Sequence, residues 1–235
     1  MNKAGVALSK AIIWDIDGTL SNSFNLGYSS TLTVLCNHGY SSIEESLYHA
    51  GTKYVTPMRL AWHATGDPYN DIGVILGREF DALYVTKVSN ETAPFYPGIA
   101  AMLLRLQEKH HDSLPNKLKY GAVSNACSQY VRSVLKANGA LDMFAVTIGA
   151  DDVAEGKPSP LGLLRCSNDM HIDPSNCIYV GDSPTDGRAA AAAGMTSVGV
   201  SWGSYSLEDI KNEFSHIVNT VDELETVLMT FLDGC

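Results

Sequence analysis

Short apolar runs alternate with helix-like segments from residue 96 to residue 200, and that alternation narrows the chain to an α/β fold. The spacing predicts strands at Lys10–Trp14, Lys119–Val123, Phe144–Ile148, Asn176–Val180 and Thr196–Val200. Runs such as Ala11-Ile12-Ile13-Trp14 have no polar alternation, which marks strands buried on both faces of a parallel sheet. Helices are predicted at Ile99–His111, Gln129–Asn138 and Pro160–Cys166, the last capped by Ser159, and from Pro184 to Gly194. Repeated βα units of this kind imply a doubly wound parallel sheet.

Residues 21–93 interrupt the pattern with helix signals and almost no strand signals. A first helix runs from Leu26 to Asn37, and a second opens with a capping box of Ser42 and Glu45. Thr56-Pro57 reads as N-cap and N1 of a third, and a longer one follows from Asp71 to about Val88. Four helices in this span suggest a small bundle. The predicted organisation is a core of residues 1–20 and 94–235 with a helical cap at 21–93. Ser21-Asn22-Ser23 and the proline-containing stretch around Pro94 form the two strands of a hinge.

A formal charge of −10 over 235 residues, with no local Lys/Arg cluster, opposes nucleic-acid backbones and anionic membranes. No apolar run approaches bilayer length and no signal peptide is evident, so the expected location is the cytoplasm. Cys36, Cys127, Cys166, Cys177 and Cys235 are irregularly spaced without a C-x-x-C pair, which fits free thiols in a reducing compartment. A small anionic ligand in a focused pocket, with a metal ion to offset the acidic field, is the partner class that remains. The chain is expected to be a monomer or a homodimer.

Chemistry-bearing residues cluster where predicted strands end, the edge at which open α/β sheets bind ligands. Asp15 and Asp17 lie two apart on one side of an extended backbone, Gly18 permits a turn, and Thr19 adds a hydroxyl. Ser124-Asn125 follows Val123, where it could hold phosphate oxygens or cap the next helix. Lys157, in a Gly-Lys-Pro loop, is either a site cation or a surface lysine. Asp182 directly follows a buried strand and is a candidate Mg²⁺ ligand. Ser183 and Asp186 also fit the N-cap and N3 of a helix, so Asp186 can be structural, catalytic support, or both.

In order, Asp15-Ile16-Asp17-Gly18-Thr19, Ser124, Lys157 and Gly181-Asp182-Ser183-Pro184-Thr185-Asp186 match four motifs, and the chain resembles the haloacid dehalogenase superfamily. Residues 180–203 and Tyr96-Pro97-Gly98 most resemble phosphoglycolate phosphatases and closely related pyrophosphate and sugar-phosphate hydrolases. The resemblance implies a Rossmann-like core with an inserted cap, and a Mg²⁺-dependent phosphatase acting through an aspartyl phosphate on a small phosphorylated metabolite. Asp15 would be the nucleophile and Asp17 the acid and base, with Lys157 holding phosphate and steadying Asp15. Asp15, Asp17 and Asp182 would hold the metal. Ser124, Asn125, Lys157 and Thr19 would hold the phosphate, and Asp186, with Ser183, would orient Lys157 or a metal-bound water.

A phosphomutase similar to β-phosphoglucomutase shares every core residue; a pyrophosphatase of the same superfamily is a further alternative, and a phosphonate hydrolase would need a cap lysine forming a Schiff base, for which Lys53 is the candidate. A non-catalytic binding protein of the same fold would be expected to lack Asp15 or Asp182, and both are present. Specificity is assigned to the cap, where His49, Thr52, Lys53, Arg59 and His63 are the polar candidates. Arg59 and His63 are four apart and share a helix face, over the site or toward solvent. His110-His111, at the end of a helix, reads as a favourable dipole interaction rather than a ligand pair.

Overall fold

The computed structural model describes residues 9–110 and 118–234. Six parallel strands, β1 (Ala11–Trp14), β2 (Lys119–Val123), β3 (Phe144–Ile148), β4 (Cys177–Gly181), β5 (Thr196–Val200) and β6 (His216–Val218), lie in the order β3-β2-β1-β4-β5-β6. The expected α/β sheet is therefore present. It carries one strand more than the sequence reading, because the three-residue run at β6 is too short to register as a periodic signal.

Alternate residues of β1 feed opposite layers, as the two-residue period of a strand requires. Ile12 and Trp14 pack with α5 (Ile99–Lys109), α6 (Ser128–Ala137) and α10 (Val221–Asp233), whereas Ala11 and Ile13 pack with α7 (Leu161–Asp169) and α8 (Pro184–Ala192). The short α9 spans Leu207–Ile210. Four helices, α1 (Phe24–Asn37), α2 (Glu45–Gly51), α3 (Thr56–Thr65) and α4 (Ile72–Thr86), stand between β1 and α5. Their apolar faces, with Leu26, Val34, Leu60, Leu76 and Phe80, join the layer that holds Ile12 and Trp14. Among the described residues, no helix is long and apolar enough to cross a membrane. The Ser21–Phe95 bridge, with the Asn22 N–H donating to the Pro94 carbonyl at 2.8 Å, joins the two strands entering and leaving the helical insertion.

Several helix starts differ from expectation by local chemistry. Ser42 does not cap α2, which begins at Glu45 after Glu44 and has no side-chain cap bond. Thr56 is inside α3, with Val55 in the cap position, and α7 is preceded by Pro160 rather than capped by Ser159. Ser and Thr compete for such positions only where the preceding chain can turn to bring the hydroxyl over the first N–H groups. At α8 that condition holds, and Ser183 and Asp186 form the reciprocal capping box.

Candidate active site

Trp14 of β1 lies level with Ala122 of β2 and Val180 of β4, so Asp15, Ser124 and Asp182 leave the sheet at one edge. The loop after β3 carries Lys157 to the same edge. Its Nζ lies 2.8 Å from Asp15 Oδ1 and 2.6 Å from Asp186 Oδ1, and donates to the Tyr179 hydroxyl at 3.0 Å. The lysine side chain is 4% exposed, which excludes the surface reading. Burial alone would lower its pKa, but Asp15 and Asp186 more than offset this and hold the ammonium above the ordinary lysine range. Asp186 fills both roles left open by the sequence. Its Oδ1 meets Lys157, while Oδ2 accepts from the Ser183 N–H at 3.0 Å and the Ser183 hydroxyl at 2.7 Å.

Ser124 is buried at the cavity wall, its Oγ accepting from the Ala126 N–H at 3.1 Å. Neither Ser124 nor Asn125 caps α6, whose cap position is Cys127. Asn125 lines the cavity and also holds Lys157 by its backbone: Oδ1 accepts from the Lys157 N–H at 2.8 Å, and Nδ2 donates to the Lys157 carbonyl at 3.0 Å. Its amide thereby grips the lysine's backbone at both groups, with one Nδ2 proton still free among the described residues. Thr19 departs from expectation. It is fully buried, its hydroxyl has no hydrogen-bond partner among the described residues, and it lies outside the cavity wall.

Asp182 sits where two glycines approach it. A Cβ on Gly18, at φ +79°, or on Gly203 would stand 2.2 Å from Asp182 Oδ2, so no other residue fits without displacing the carboxylate. The Ser204 N–H donates to that oxygen at 2.7 Å. Burial, then the Asp186 charge, pushes Asp182 up to about 7, and the same two causes raise Asp15 well above the usual carboxylate range. Asp15, Asp182 and Asp186 each offer an oxygen within 4.8 Å of the others. Since both Asp186 oxygens are already engaged, Asp15 and Asp182 are the carboxylates left to hold an ion. Hard oxygen donors and an excess of buried negative charge fit a divalent cation such as Mg²⁺.

Asp17 lines the cavity and is held by hydroxyl groups from two directions. The Tyr130 hydroxyl of α6 donates to its Oδ1 at 2.5 Å, and the Ser23 hydroxyl, before α1, donates to the same oxygen. The Tyr84 hydroxyl of α4 lies 2.8 Å from Tyr130 Oη and 3.3 Å from Asp17 Oδ1. The two rings stack at 3.9 Å and 10°. Burial, then the Asp17 charge, holds both phenols well above their ordinary range, so both keep their protons.

The helical insertion supplies the opposite wall of a cavity of ≈120 Å³. Arg59 is buried there with its guanidinium 4.5 Å from the Phe80 ring centre and 5.2 Å from that of Tyr48. Nη1 donates to Thr31 Oγ1 at 3.3 Å, and among the described residues no carboxylate pairs with it. Thr52 also lines the cavity, near the Tyr205 hydroxyl at 3.0 Å. His49 bridges to the Ser204 carbonyl at 2.6 Å.

Lys53 and His63 stand outside the cavity wall. Lys53 is exposed, its ammonium over the rings of Tyr54 and Trp62. His63 packs between Tyr48 and Trp62, and burial followed by the Arg59 charge lowers it to about 3, leaving a neutral ring at neutral pH. His110 is followed by residues outside the described ones, so the His110-His111 pair is described only in its first member, which sits at the C-cap of α5. Sequence reasoning missed Tyr84, Tyr130 and Tyr179, whose rings sit in apolar patterns and whose hydroxyls leave no periodic signal. It also missed Ser23, which follows the Asp17 turn closely enough to have been considered.

A haloacid dehalogenase-like hydrolase family model matches residues 12–200. A phosphoglycolate phosphatase from Xylella fastidiosa is 31% identical over 212 residues, covering 88% of this chain and 86% of its own. Two solved structures share the fold. A predicted phosphoglycolate phosphatase from Haemophilus somnus superposes with a TM-score of 0.78 at 22% identity, covering 95% of this chain and 100% of its own. A β-phosphoglucomutase from Clostridium difficile does so at 0.76 and 21%, covering 95% and 97%. With the matched family model spanning the strand ends that carry Asp15, Ser124, Lys157 and Asp182, this chain belongs to the haloacid dehalogenase-like hydrolases.

Proposed function

We propose that this protein is a phosphatase that hydrolyses a small phosphate monoester, similar in chemistry to phosphoglycolate phosphatases. The observation that carries this reading is the buried Lys157 ammonium held between Asp15 and Asp186 beside Asp182. A nucleophilic carboxylate with a fixed cation beside it, next to a metal-binding carboxylate, is what transfer of a phosphoryl group to an aspartate requires.

In this mechanism an Asp15 oxygen attacks phosphorus in line with the ester oxygen, and an aspartyl phosphate forms as the P–O bond breaks. Asp17 gives its proton to the departing oxygen and then takes one from the water that hydrolyses the aspartyl phosphate. Lys157 and the Ser124 hydroxyl hold the oxygens of the transferred group, and Asp186 keeps Lys157 in place. Asp15, the Asp17 backbone carbonyl and Asp182 would hold Mg²⁺, which when bound offsets the repulsion between carboxylate and phosphate. Residues 21–93 serve as the cap over a core of 1–20 and 94–235, excluding water.

Two features support a short, anionic leaving group. The cavity of ≈120 Å³ is well below the roughly 300–1,000 Å³ of sites for drug-sized ligands. Arg59 presents a positive charge that no carboxylate among the described residues pairs with, suited to a carboxylate on the leaving group. The test is phosphate release from phosphoglycolate, sugar phosphates, nucleotides and pyrophosphate, with Mg²⁺ or EDTA. Mg²⁺-dependent release concentrated on phosphoglycolate is expected. Release confined to pyrophosphate or nucleotides would overturn the leaving-group assignment, and no release from any ester would overturn the phosphatase reading.

A further inference from the structure

Among the described residues Asp17, like Asp182, meets no protein cation within ion-pair distance, and it alone of the site carboxylates receives tyrosine hydroxyl and Ser23 hydroxyl groups together, from two parts of the molecule. All of them converge on Oδ1. Tyr130 comes from α6, beneath the sheet edge, and Tyr84 and Ser23 come from the helical insertion and its entrance. Oδ2 has no hydrogen-bond partner among the described residues, and Asp17 lines the cavity. An oxygen already accepting two short hydrogen bonds is a poor place for a further proton, since a proton there must displace a donor. The unoccupied oxygen is therefore the one that can carry a transferable proton.

From this geometry we infer that Tyr84 and Tyr130 are positioning residues: they anchor Asp17 Oδ1 so that Oδ2 is presented to the leaving oxygen. The inference rests on the phosphatase reading above. In the first step the electron pair of the P–O bond goes to the leaving oxygen as the Asp15 O–P bond forms, and the proton on Asp17 Oδ2 moves to that oxygen. The carboxylate left behind keeps both hydroxyl donors on Oδ1, so it does not rotate out of line before water must be deprotonated. The stacked rings restrict the phenols to one plane, and the Tyr84-to-Tyr130-to-Asp17 chain polarises each bond in it. With one hydroxyl proton, Tyr84 acts mainly through Tyr130 at 2.8 Å, the direct approach to Asp17 being the longer one at 3.3 Å.

A role in positioning the acid predicts dependence on the leaving group, which a merely structural role would not produce. An alkoxide needs the proton as it leaves, whereas acetate leaves without it. The experiment compares kcat/KM, which reports transfer to Asp15, for phosphoglycolate and for acetyl phosphate in the full-length wild type and in Tyr130→Phe. General acid catalysis is worth about 10²–10⁴-fold, so a misdirected acid should lower phosphoglycolate turnover by about 10-fold or more and acetyl phosphate turnover by less than about threefold. Tyr84→Phe should show the same selectivity with a smaller loss, and carries the comparison should Tyr130→Phe not fold, as judged by circular dichroism. Equal losses on both substrates, or no loss on phosphoglycolate, would overturn the positioning role. A wild type inert toward both substrates would instead refute the phosphatase reading, and the positioning role with it.

Discussion

At the sheet edge, charges face charges: Lys157 is locked between two buried carboxylates, of which Asp186 is tied in turn to the Ser183 N–H and hydroxyl and to the Tyr179 hydroxyl. The helical wall opposite sets Arg59 between two aromatic rings, with one hydroxyl partner and no carboxylate among the described residues. The first wall holds its lysine in a fixed frame of its own carboxylates and keeps an excess of buried negative charge for a metal ion. The other leaves a cation for which the substrate must supply the counter-charge. Chemistry common to many substrates belongs on the first wall, and discrimination between substrates belongs on the second.

The largest expected effect falls on the sheet wall. Asp15→Asn should lower turnover by at least about 10³-fold while leaving the thermal unfolding midpoint unchanged or raised, since it removes a nucleophile and also a crowded buried charge. Turnover within tenfold of wild type, measured on protein freed of contaminating phosphatase, would show that the wall does not supply the nucleophile. Lys157→Ala should cost both rate and stability. It leaves Asp15 and Asp186 facing each other unpaired, a loss of about 3–5 kcal/mol for a broken buried pair, against about 0.5 kcal/mol for a surface lysine. Urea unfolding of metal-free protein reads this directly.

On the helical wall the effect should depend on substrate. Arg59→Met is expected to raise KM for phosphoglycolate by about 10-fold or more and to change that for a neutral short alkyl phosphate by less than about twofold, the signature of a lost charge-assisted pair. A uniform change across both substrates would make Arg59 a packing residue and erase the contrast between the walls.

The smallest effect is expected at His63. His63→Phe should leave kcat/KM within about twofold, because the ring lies outside the cavity. Its contribution is to pH dependence. The folded-state value of about 3 lies below the ordinary 6.5, so the unfolded chain binds the proton more readily in that window. Stability is therefore full above about pH 6.5 and falls as pH drops toward 3. Discounted for the ring's partial exposure, the wild type should lose about 1 kcal/mol more than His63→Phe between pH 7 and pH 5. Identical pH profiles would place His63 in water.

The difference between the walls also accounts for what could be read in advance. Asp15, Ser124 and Asp182 are each adjacent in sequence to the strand that positions them, so a local pattern of apolar run followed by polar residue reveals both the element and the chemistry. Asp186 was legible as both cap and lysine partner because its two oxygens answer to two different local signals. Arg59 showed no such local signal: its burial arises from the packing of α3 against α1, α2 and α4, which places Thr31, Tyr48 and Phe80 around it. His63 shares its helix face and was ranked beside it, although tertiary packing separates the two by sending one to the cavity and the other to an aromatic cluster. Tyr84, Tyr130 and Tyr179 have apolar bodies that satisfy the core pattern, so their polar tips were invisible. At the end of the chain a usable signal was passed over, since Thr220 and Glu223 mark the start of α10 and Thr220 accepts from the Glu223 N–H.

The pairing of the Asn125 amide with both backbone groups of Lys157 imitates the exchange of N–H and C=O bonds between neighbouring strands. A single side chain thereby extends the sheet sideways by one rung, and the lysine, though carried on connecting chain, inherits the stiffness of a strand. Gly156 completes the arrangement, because a Cβ there would stand 2.7 Å from Asn125 Oδ1. The segment leading from β3 to this rung is thus relieved of aiming the ammonium. Its remaining task is to deliver Gly156 and Lys157 to that rung, as a cable need only reach the socket it ends in.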